Sequence, residues 1–410
     1  MSILKLMLDN TAKYFSLEDQ KYKNVFRLSI LLKEKINSIV LKKAILKTLE
    51  KFPNFQVKLK SGFFWHFLEH NTKKPIIEKE KNIPCKNLNF KKNNDYLFKV
   101  TYNNKKINLE IYHVLTDGVG ATIFLQELLS NYCDIKYNLP KDIKTNFIKT
   151  NVIQDEYLKS ANLKIKKIIK NKPAFLIKSK ANKLTNKTNH YIVDLNKFKC
   201  ICKKYKVSIT EFLTALYLKA LYKSVYDKKS KKEIAVTVPI DLRKRLKKNA
   251  LTNFFVNMNI MGNIKNKEKI SFNQLLKQVH KEFKLKLTKD NINTTLSSDV
   301  KLGTNKAISV IPLFIKKIYM KYMDKTYSGK STTTLSNIGK INILDKYKKY
   351  IDNVLVLVSP GKYQKAKCTI CSYENNLNIT INSSLISDKL EEEFYKLLLR
   401  YIGKVKTINC

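Results

Sequence analysis

Apolar and polar positions along this chain follow two rhythms, and the switches between them mark its elements. Residues 36–50, "INSIVLKKAILKTLE", place apolar side chains at 36, 39, 40, 44, 45 and 49, the spacing of one helical face. Pro53 stands just beyond, where a helix stops. "FQVKLKSGFFWHFLE" reads as two strands about Ser61-Gly62, and "LFKVTYNNKKINLEIYH" as two more about Asn103-Asn104. After Gly118, "VGATIFLQELLSNY" returns to helical spacing.

From about residue 134 to 187 the chain becomes lysine-rich, weakly periodic and interrupted by breakers. This stretch reads as a crossover with some short helix in it. Then the order of elements restarts. "HYIVDL" is a strand, and "SITEFLTALYLKALYKSV" is a helix opened by a capping box of Ser208 and Glu211. Its placement matches that of the first helix after Gly118, which points to two lobes that are distant copies. "EIAVTVPIDL" and "NFFVNMNIMG" read as strands and residues 266–290 as helix. "NVLVLVS", "AKCTICSYE" and "LNITINSSL" are strands, and "SDKLEEEFYKLLLRYIG" is a closing amphipathic helix. The expectation is mixed α/β in two lobes: residues 1–145, a crossover at 146–186, and residues 187–410. Residues 307–323, "AISVIPLFIKKIYMKYM", form an apolar helix with lysines on one side. Its commoner use is to face a core; the other is to lie on a membrane surface.

A chain of 410 residues that is 44% apolar buries a substantial core. Its net charge of +47 is extreme, and nearly all of it is lysine: the only arginines are Arg27, Arg243, Arg245 and Arg400. Lys, Asn and Ile share A/T-rich codons, and the lysines are spread along the whole chain, so a solvated surface is the plain reading. Attraction to an anionic cofactor, carrier protein, membrane or nucleic acid is the functional one. "MSILKLMLDNTAKYF" lacks the pattern of a signal peptide, and no apolar run is long enough to span a bilayer, so a cytoplasmic location is expected, with peripheral membrane contact left open. Seven scattered cysteines fit a reducing compartment. Cys368 and Cys371 have CxxC spacing, but on a strand three residues apart means opposite faces, which argues against a redox or metal pair.

Among candidate sites, "HFLEH" (His66, Glu69, His70) matches an inverted zinc-protease pattern. That chemistry needs a helix. In this strand-like context the two histidines would stand roughly 13 Å apart, too far to share an ion. No metal is expected. Phosphate-cradling loops, GxSxG and nucleic-acid recognition signatures are absent from the sequence. The informative stretch is "IYHVLTDGVGA". Ile107, Leu109, Ile111 and His113 share one strand face, which aims the imidazole inward. A buried neutral histidine bonded to backbone is one reading. The other is a chemical base, favoured by Asp117, Gly118, Gly120 and Ala121 in the tight turn that follows. In a chain so short of arginine, "VPIDLRKRL" holds two, and Arg243 directly ends a strand. A retained arginine points to bidentate geometry. Arg243 is therefore expected to pair with Asp117 across the lobes in an architectural role.

These residues carry a family resemblance. "HVLTDG" resembles the HxxxDG motif of the coenzyme-A-dependent acyltransferase superfamily, which includes chloramphenicol acetyltransferase, dihydrolipoamide acyltransferases, peptide-synthetase condensation domains and alcohol acetyltransferases. "LKKAILKTLEKFPNFQVKL", "VPIDLRKRL" and "TTLSNIGKI" resemble further family segments, in the expected order. The nearest branch is the alcohol acetyltransferase and condensation-like one. Tyr112 stands where condensation domains often have a second histidine, which favours the acetyltransferase side.

The resemblance implies two chloramphenicol-acetyltransferase-like lobes forming a pseudo-dimer around a central active-site tunnel. It implies transfer of an acyl group, acetyl in the first instance, from an acyl-CoA thioester to an alcohol. His113 would be the general base. Asp117 is the second catalytic candidate, holding the turn through Arg243, with Gly118 permitting that turn. Ser336 and Asn337 would lie by the tunnel as candidate oxyanion donors. Acyl-CoA is expected as a co-substrate, with no tightly bound cofactor. The alternatives are a condensation-like protein using an acyl carrier protein or an amine acceptor, and a non-catalytic binding protein of the same fold. The acceptor is a small alcohol or a lipid, no specific nucleic acid is expected, and a fused two-lobe chain is expected to be a monomer.

Overall fold

A computed structural model describes residues 5–17, 24–81, 83–85, 88–140, 155–165, 167, 169, 171–178, 186–262 and 270–409. Of the expected crossover at 146–186, residues 146–154, 166, 168, 170 and 179–185 lie outside them, and the short helix expected within it is found at Glu156–Ser160.

In the first half, the strands are β1 (Lys5–Met7), β2 (Val25–Leu32), β3 (Val57–Ser61), β4 (His66–His70), β5 (Ile77–Lys79), β6 (Phe98–Asn103) and β7 (Lys106–Tyr112). The helices are α1 (Asn10–Ser16), α2 (Ser38–Lys51), α3 (Gly118–Lys136) and α4 (Glu156–Ser160). In the second half, the strands are β8 (Lys187–Asp194), β9 (Ala235–Asp241), β10 (Phe255–Met261), β11 (Thr333–Lys340), β12 (Ile351–Val358), β13 (Ala366–Tyr373), β14 (Asn376–Ser383) and β15 (Lys406–Asn409). The helices there are α5 (Leu195–Lys204), α6 (Ile209–Ser224), α7 (Arg243–Leu246), α8 (Phe272–Lys286), α9 (Lys289–Gly303), α10 (Lys306–Ser309), α11 (Leu313–Ser328), α12 (Asp345–Lys348) and α13 (Lys389–Ile402).

Each lobe is built on one sheet. The first has the strand order β12-β2-β7-β6-β5 and the second β10-β9-β11-β13-β14-β8-β15, and β1, β4 and β3 form a separate small sheet. The hairpins read from sequence are present: β3 pairs antiparallel with β4, and β6 with β7. Asn104, in the latter turn, has φ 46°, a left-handed conformation that Asn tolerates well.

The first core packs α2 and α3 on their sheet. Phe55 and Phe124 stack at 4.2 Å, with Phe52 and Phe98 each 5.4 Å from Phe124. In the second lobe α6 is buried along nearly all of residues 211–222, between α8 and α13. A helix apolar on every side belongs inside. The capping box expected at Ser208 and Glu211 starts it.

Three segments depart from the sequence reading. Of the helix expected over 266–290, residues 266–269 lie outside the described residues, and the rest holds all of α8 and then the start of a separate α9 capped by Thr288. Pro312 divides 307–323 into α10 and α11, since its ring cannot continue the helix. The core-facing expectation for that segment fails as well: Phe314, Ile315, Ile318, Tyr319 and Tyr322 are exposed, while Lys316 is buried. Finally, β12 falls by position in the second lobe but pairs antiparallel with β2 of the first. It also bonds back to the second lobe. Asn353 and Asn378 exchange amide hydrogen bonds at 2.9 Å, and the Cys371 thiol donates to the Val354 carbonyl. β12 therefore stitches the lobes together.

The CxxC cysteines lie on β13, both buried, and burial pushes the Cys371 thiol up to about 12 and Cys368 higher still. The H-x-x-E-H residues lie on extended β4, with the His66 Nδ1 by the Ser61 hydroxyl. Burial pulls His66 down to about 4, so it stays neutral.

Candidate active site

Strand β7 delivers His113 to the point where chain direction reverses. The His113 amide donates to the Asn24 carbonyl, and Leu115 closes a turn onto Tyr112. Asp117 then opens α3 as its N-cap, Oδ1 accepting from the amides of Val119 and Gly120 at 3.1 Å each. Helix starts leave such amides without helical partners, and a carboxylate satisfies two of them.

The two glycines of this turn are required by close approach. A Cβ on Gly120 would lie 2.5 Å from the Leu251 carbonyl oxygen and 2.0 Å from Thr116 Oγ1. A Cβ on Gly118 would lie 2.4 Å from Ile338 Cδ1. Helix α3 thus abuts the 250s loop on one side and β11 on the other.

Arg243 and Asp117 form a bidentate pair, Nη1 to Oδ2 and Nη2 to Oδ1, both at 2.9 Å. Arg243 also donates through Nε to the Ala250 carbonyl at 2.8 Å, through Nη2 to Thr252 at 2.9 Å and through Nη1 to Asp241 at 2.7 Å. Asp117 Oδ2 accepts in addition from the Phe254 amide at 2.9 Å. Every acceptor site of Asp117 is turned to protein. Its place is architectural: it fastens the histidine turn to the 250–254 loop of the other lobe.

That loop brings the residue that sequence reasoning did not identify. Asn253 Oδ1 lies 2.9 Å from His113 Nδ1. The amide orientation follows from its other bonds. Nδ2 donates to Asp9 Oδ2 and to the His113 carbonyl, each at 3.1 Å, so Oδ1 must be the atom facing the ring. An oxygen there accepts, which puts the imidazole proton on Nδ1 and leaves the Nε2 lone pair free. Asp9 in turn N-caps α1 at the Ala12 amide. Burial pushes the Asp9 carboxyl up to about 7. α1 carries Phe15, whose ring sits 4.6 Å from that of His113; Phe26 lies at 4.9 Å and Phe255 at 5.7 Å. The aromatic setting lowers the His113 pKa, chiefly through burial, against the nearby Asp117 charge and the Asn253 hydrogen bond. The residue as a whole is half-buried.

Ser336 and Asn337 lie on β11, beside the Ile338 that meets Gly118. A bulge between Asn337 and Gly339, with Gly339 at φ +84°, turns the strand here. The Asn337 amide is engaged: Nδ2 donates to Thr210 Oγ1 and Oδ1 accepts from the Gly339 amide, both at 2.9 Å. Ser336 is partly exposed.

No protein-family model and no curated protein matches this sequence. Solved structures do match, over nearly the whole chain. The protein TRI101 of F. sporotrichioides, complexed with coenzyme A and T-2, aligns at TM-score 0.64 with 9% identity, covering 98% of this chain and 100% of its own. A mutant of the starter condensation domain of rhizomide synthetase RzmA, in complex with C8-CoA, aligns at 0.62 and 10%, covering 97% and 94%. Polyketide synthase associated protein 5 from Mycobacterium tuberculosis aligns at 0.61 and 12%, covering 98% of both chains. This chain has the two-lobed α/β fold that CoA-dependent acyltransferases and condensation domains share.

Proposed function

We propose that this protein transfers an acyl group, acetyl in the first instance, from an acyl-CoA thioester to an alcohol, with His113 as general base. The observation that carries the reading is the Asn253 oxygen 2.9 Å from His113 Nδ1. A proton fixed on Nδ1 makes Nε2 the base, and burial keeps the ring neutral so that the base is available at neutral pH. The acceptor hydroxyl gives its proton to Nε2 as its oxygen attacks the thioester carbonyl carbon. The tetrahedral intermediate collapses with loss of the C–S bond, and the imidazolium returns the proton to the leaving thiolate. Asp117 and Arg243 hold the turn on which His113 rides. Of the two oxyanion candidates Ser336 is preferred, because the Asn337 amide is already bonded at both ends. A +47 surface suits a polyphosphate co-substrate.

The test is thiol release from acetyl-CoA and longer acyl-CoAs against a panel of alcohols and amines, for wild type and His113→Ala. Acceptor-dependent release that falls at least a hundredfold in the variant is expected. Equal release in both proteins refutes His113 as base. Transfer to amines alone replaces the alcohol with the condensation-like acceptor, and no release from any pair by folded protein favours a carrier-protein donor or a non-catalytic binding role.

A further inference from the structure

Helix α11 is turned inside out. Its positions 314, 315, 318, 319 and 322 fall on one face by helical spacing, and all are apolar or aromatic. That face is the solvent face: Phe314 is 64% exposed, Ile318 67% and Tyr322 83%. The inward side carries Leu313 and, beyond it, a lysine. Lys316 is 3% exposed, with Nζ 3.7 Å from the Trp65 ring centre and donating to the Phe64 carbonyl at 2.8 Å. An amphipathic helix ordinarily buries its apolar side. Here the protein spends a buried, hydrogen-bonded ammonium to present that side outward.

A second element joins the same surface. The tip of the β3–β4 hairpin carries Phe63, 70% exposed, beside exposed Phe64, their rings 4.8 Å apart. The Leu313 amide donates to the Phe63 carbonyl at 2.8 Å, fixing the tip against the start of α11, next to exposed Val310. Apolar side chains from two elements so joined exceed the scattered exposure of an ordinary surface.

The charge beside this patch is mostly lysine, with Lys58 paired to Glu69 and Lys51 to Glu127 on the hairpin side. Residues 300–323 contain five lysines and no acidic residue, and residues 51–68 contain three lysines and none. Lys60, Lys306 and Lys321 are exposed. A second copy of a +47 chain would bring like charge against like. The complement of an apolar stripe rimmed with lysine is a surface with hydrocarbon beneath and negative charge at the rim.

We infer that the Phe63–Phe64 hairpin tip and the outer face of α11 form a docking surface for an anionic lipid bilayer. Phe63, Phe64, Phe314 and Ile318 enter the acyl region while the flanking lysines meet lipid phosphates. The inference does not rest on the proposed acyl transfer.

The experiment is co-sedimentation of the full chain with vesicles of phosphatidylcholine, with and without phosphatidylglycerol, at near-physiological salt. Wild type is expected to pellet with the anionic vesicles. Phe314→Ser combined with Ile318→Ser, and separately Phe63→Ser, should bind at least tenfold more weakly, since each removes a large apolar group that would enter the bilayer. All three positions are exposed, so circular dichroism should stay unchanged. Lys60→Glu with Lys321→Glu should lose the preference for phosphatidylglycerol. Failure of wild type to pellet overturns the inference. So does wild-type binding by the serine variants, which would mean attraction through dispersed lysines alone. Dimerisation abolished by Ile318→Ser, or an acidic carrier protein that binds the same residues while vesicles do not, would assign the patch to another partner and also overturn it.

Discussion

Replacing Arg243 by lysine keeps the charge and removes the shape. The guanidinium makes five hydrogen bonds: two to Asp117 and one each to Asp241, Ala250 and Thr252, at 2.7–2.9 Å. The pair is almost wholly buried, with side-chain exposures of 10% for Arg243 and 6% for Asp117. An ammonium has three donors at one point and cannot reach carbonyls on both sides of a planar fork. At least two buried acceptors then lose their donor, at about 1–3 kcal/mol each. Arg243→Lys should therefore destabilise the protein by about 3 kcal/mol, a large part of a typical total stability of about 5–15 kcal/mol. Arg243→Ala should cost about 3–5 kcal/mol by leaving a buried carboxylate without its cation, towards the lower figure because Asp117 keeps the amides of Val119, Gly120 and Phe254. Urea unfolding followed by fluorescence of Trp65 and by circular dichroism measures both. Because the same bonds hold the loop that carries Asn253, thiol release by the lysine variant should fall at temperatures where it is still folded. An unfolding midpoint unchanged from wild type would refute the claim that bidentate geometry, and not charge, is what the site requires.

Further outcomes follow from the same geometry. The acid limb of the pH–rate profile should lie below 6.5, because burial lowers the His113 pKa and the neutral ring is the active form; activity is lost as pH falls through that value. Asp117→Asn removes a charge that raises the His113 pKa, so the limb of any folded variant should move lower, and a limb above 6.5 would contradict the assignment. Gly120→Ala sets a methyl 2.5 Å from the Leu251 carbonyl oxygen and should cost about 1–3 kcal/mol in thermal melts, more than Gly118→Ala, whose obstacle is the end of the Ile338 side chain. A thiol reagent should label exposed Cys200 in the native protein and reach Cys85, Cys133, Cys202, Cys368 and Cys371 only after unfolding, as mass mapping of labelled peptides would show.

Much of the fold is legible in sequence because local rhythm encodes local structure. The 36–50 helix, both early hairpins and the capped α6 follow from spacing and turn residues. The pairing of Arg243 with Asp117 is legible for a different reason: arginine is so scarce here that its position is informative. Asn253 is not legible. It sits at the head of a strand in an asparagine-rich chain, and its meaning arises only when residues 140 positions apart meet. The orientation of α11 is hidden for a related reason. Periodicity shows which residues share a face, but which face turns inward depends on Trp65 and the Phe64 carbonyl, which are distant in sequence. β12 reads correctly as a strand, yet nothing local says which sheet it joins.

That strand also sets a clock on biosynthesis. β2 leaves the ribosome more than three hundred residues before β12, its hydrogen-bonding neighbour. At about 5–20 residues per second, the interval is roughly 15–65 s. Throughout it, β2 is an unpaired edge of apolar sequence beside β7, open to pairing with another nascent chain. The first lobe can thus gather its helices during translation but reaches its final sheet only near the end of synthesis. Fragments ending before residue 351 would keep that edge permanently, and aggregation of such fragments, in place of independent folding of a half-protein, is the expected consequence of passing one strand between the lobes.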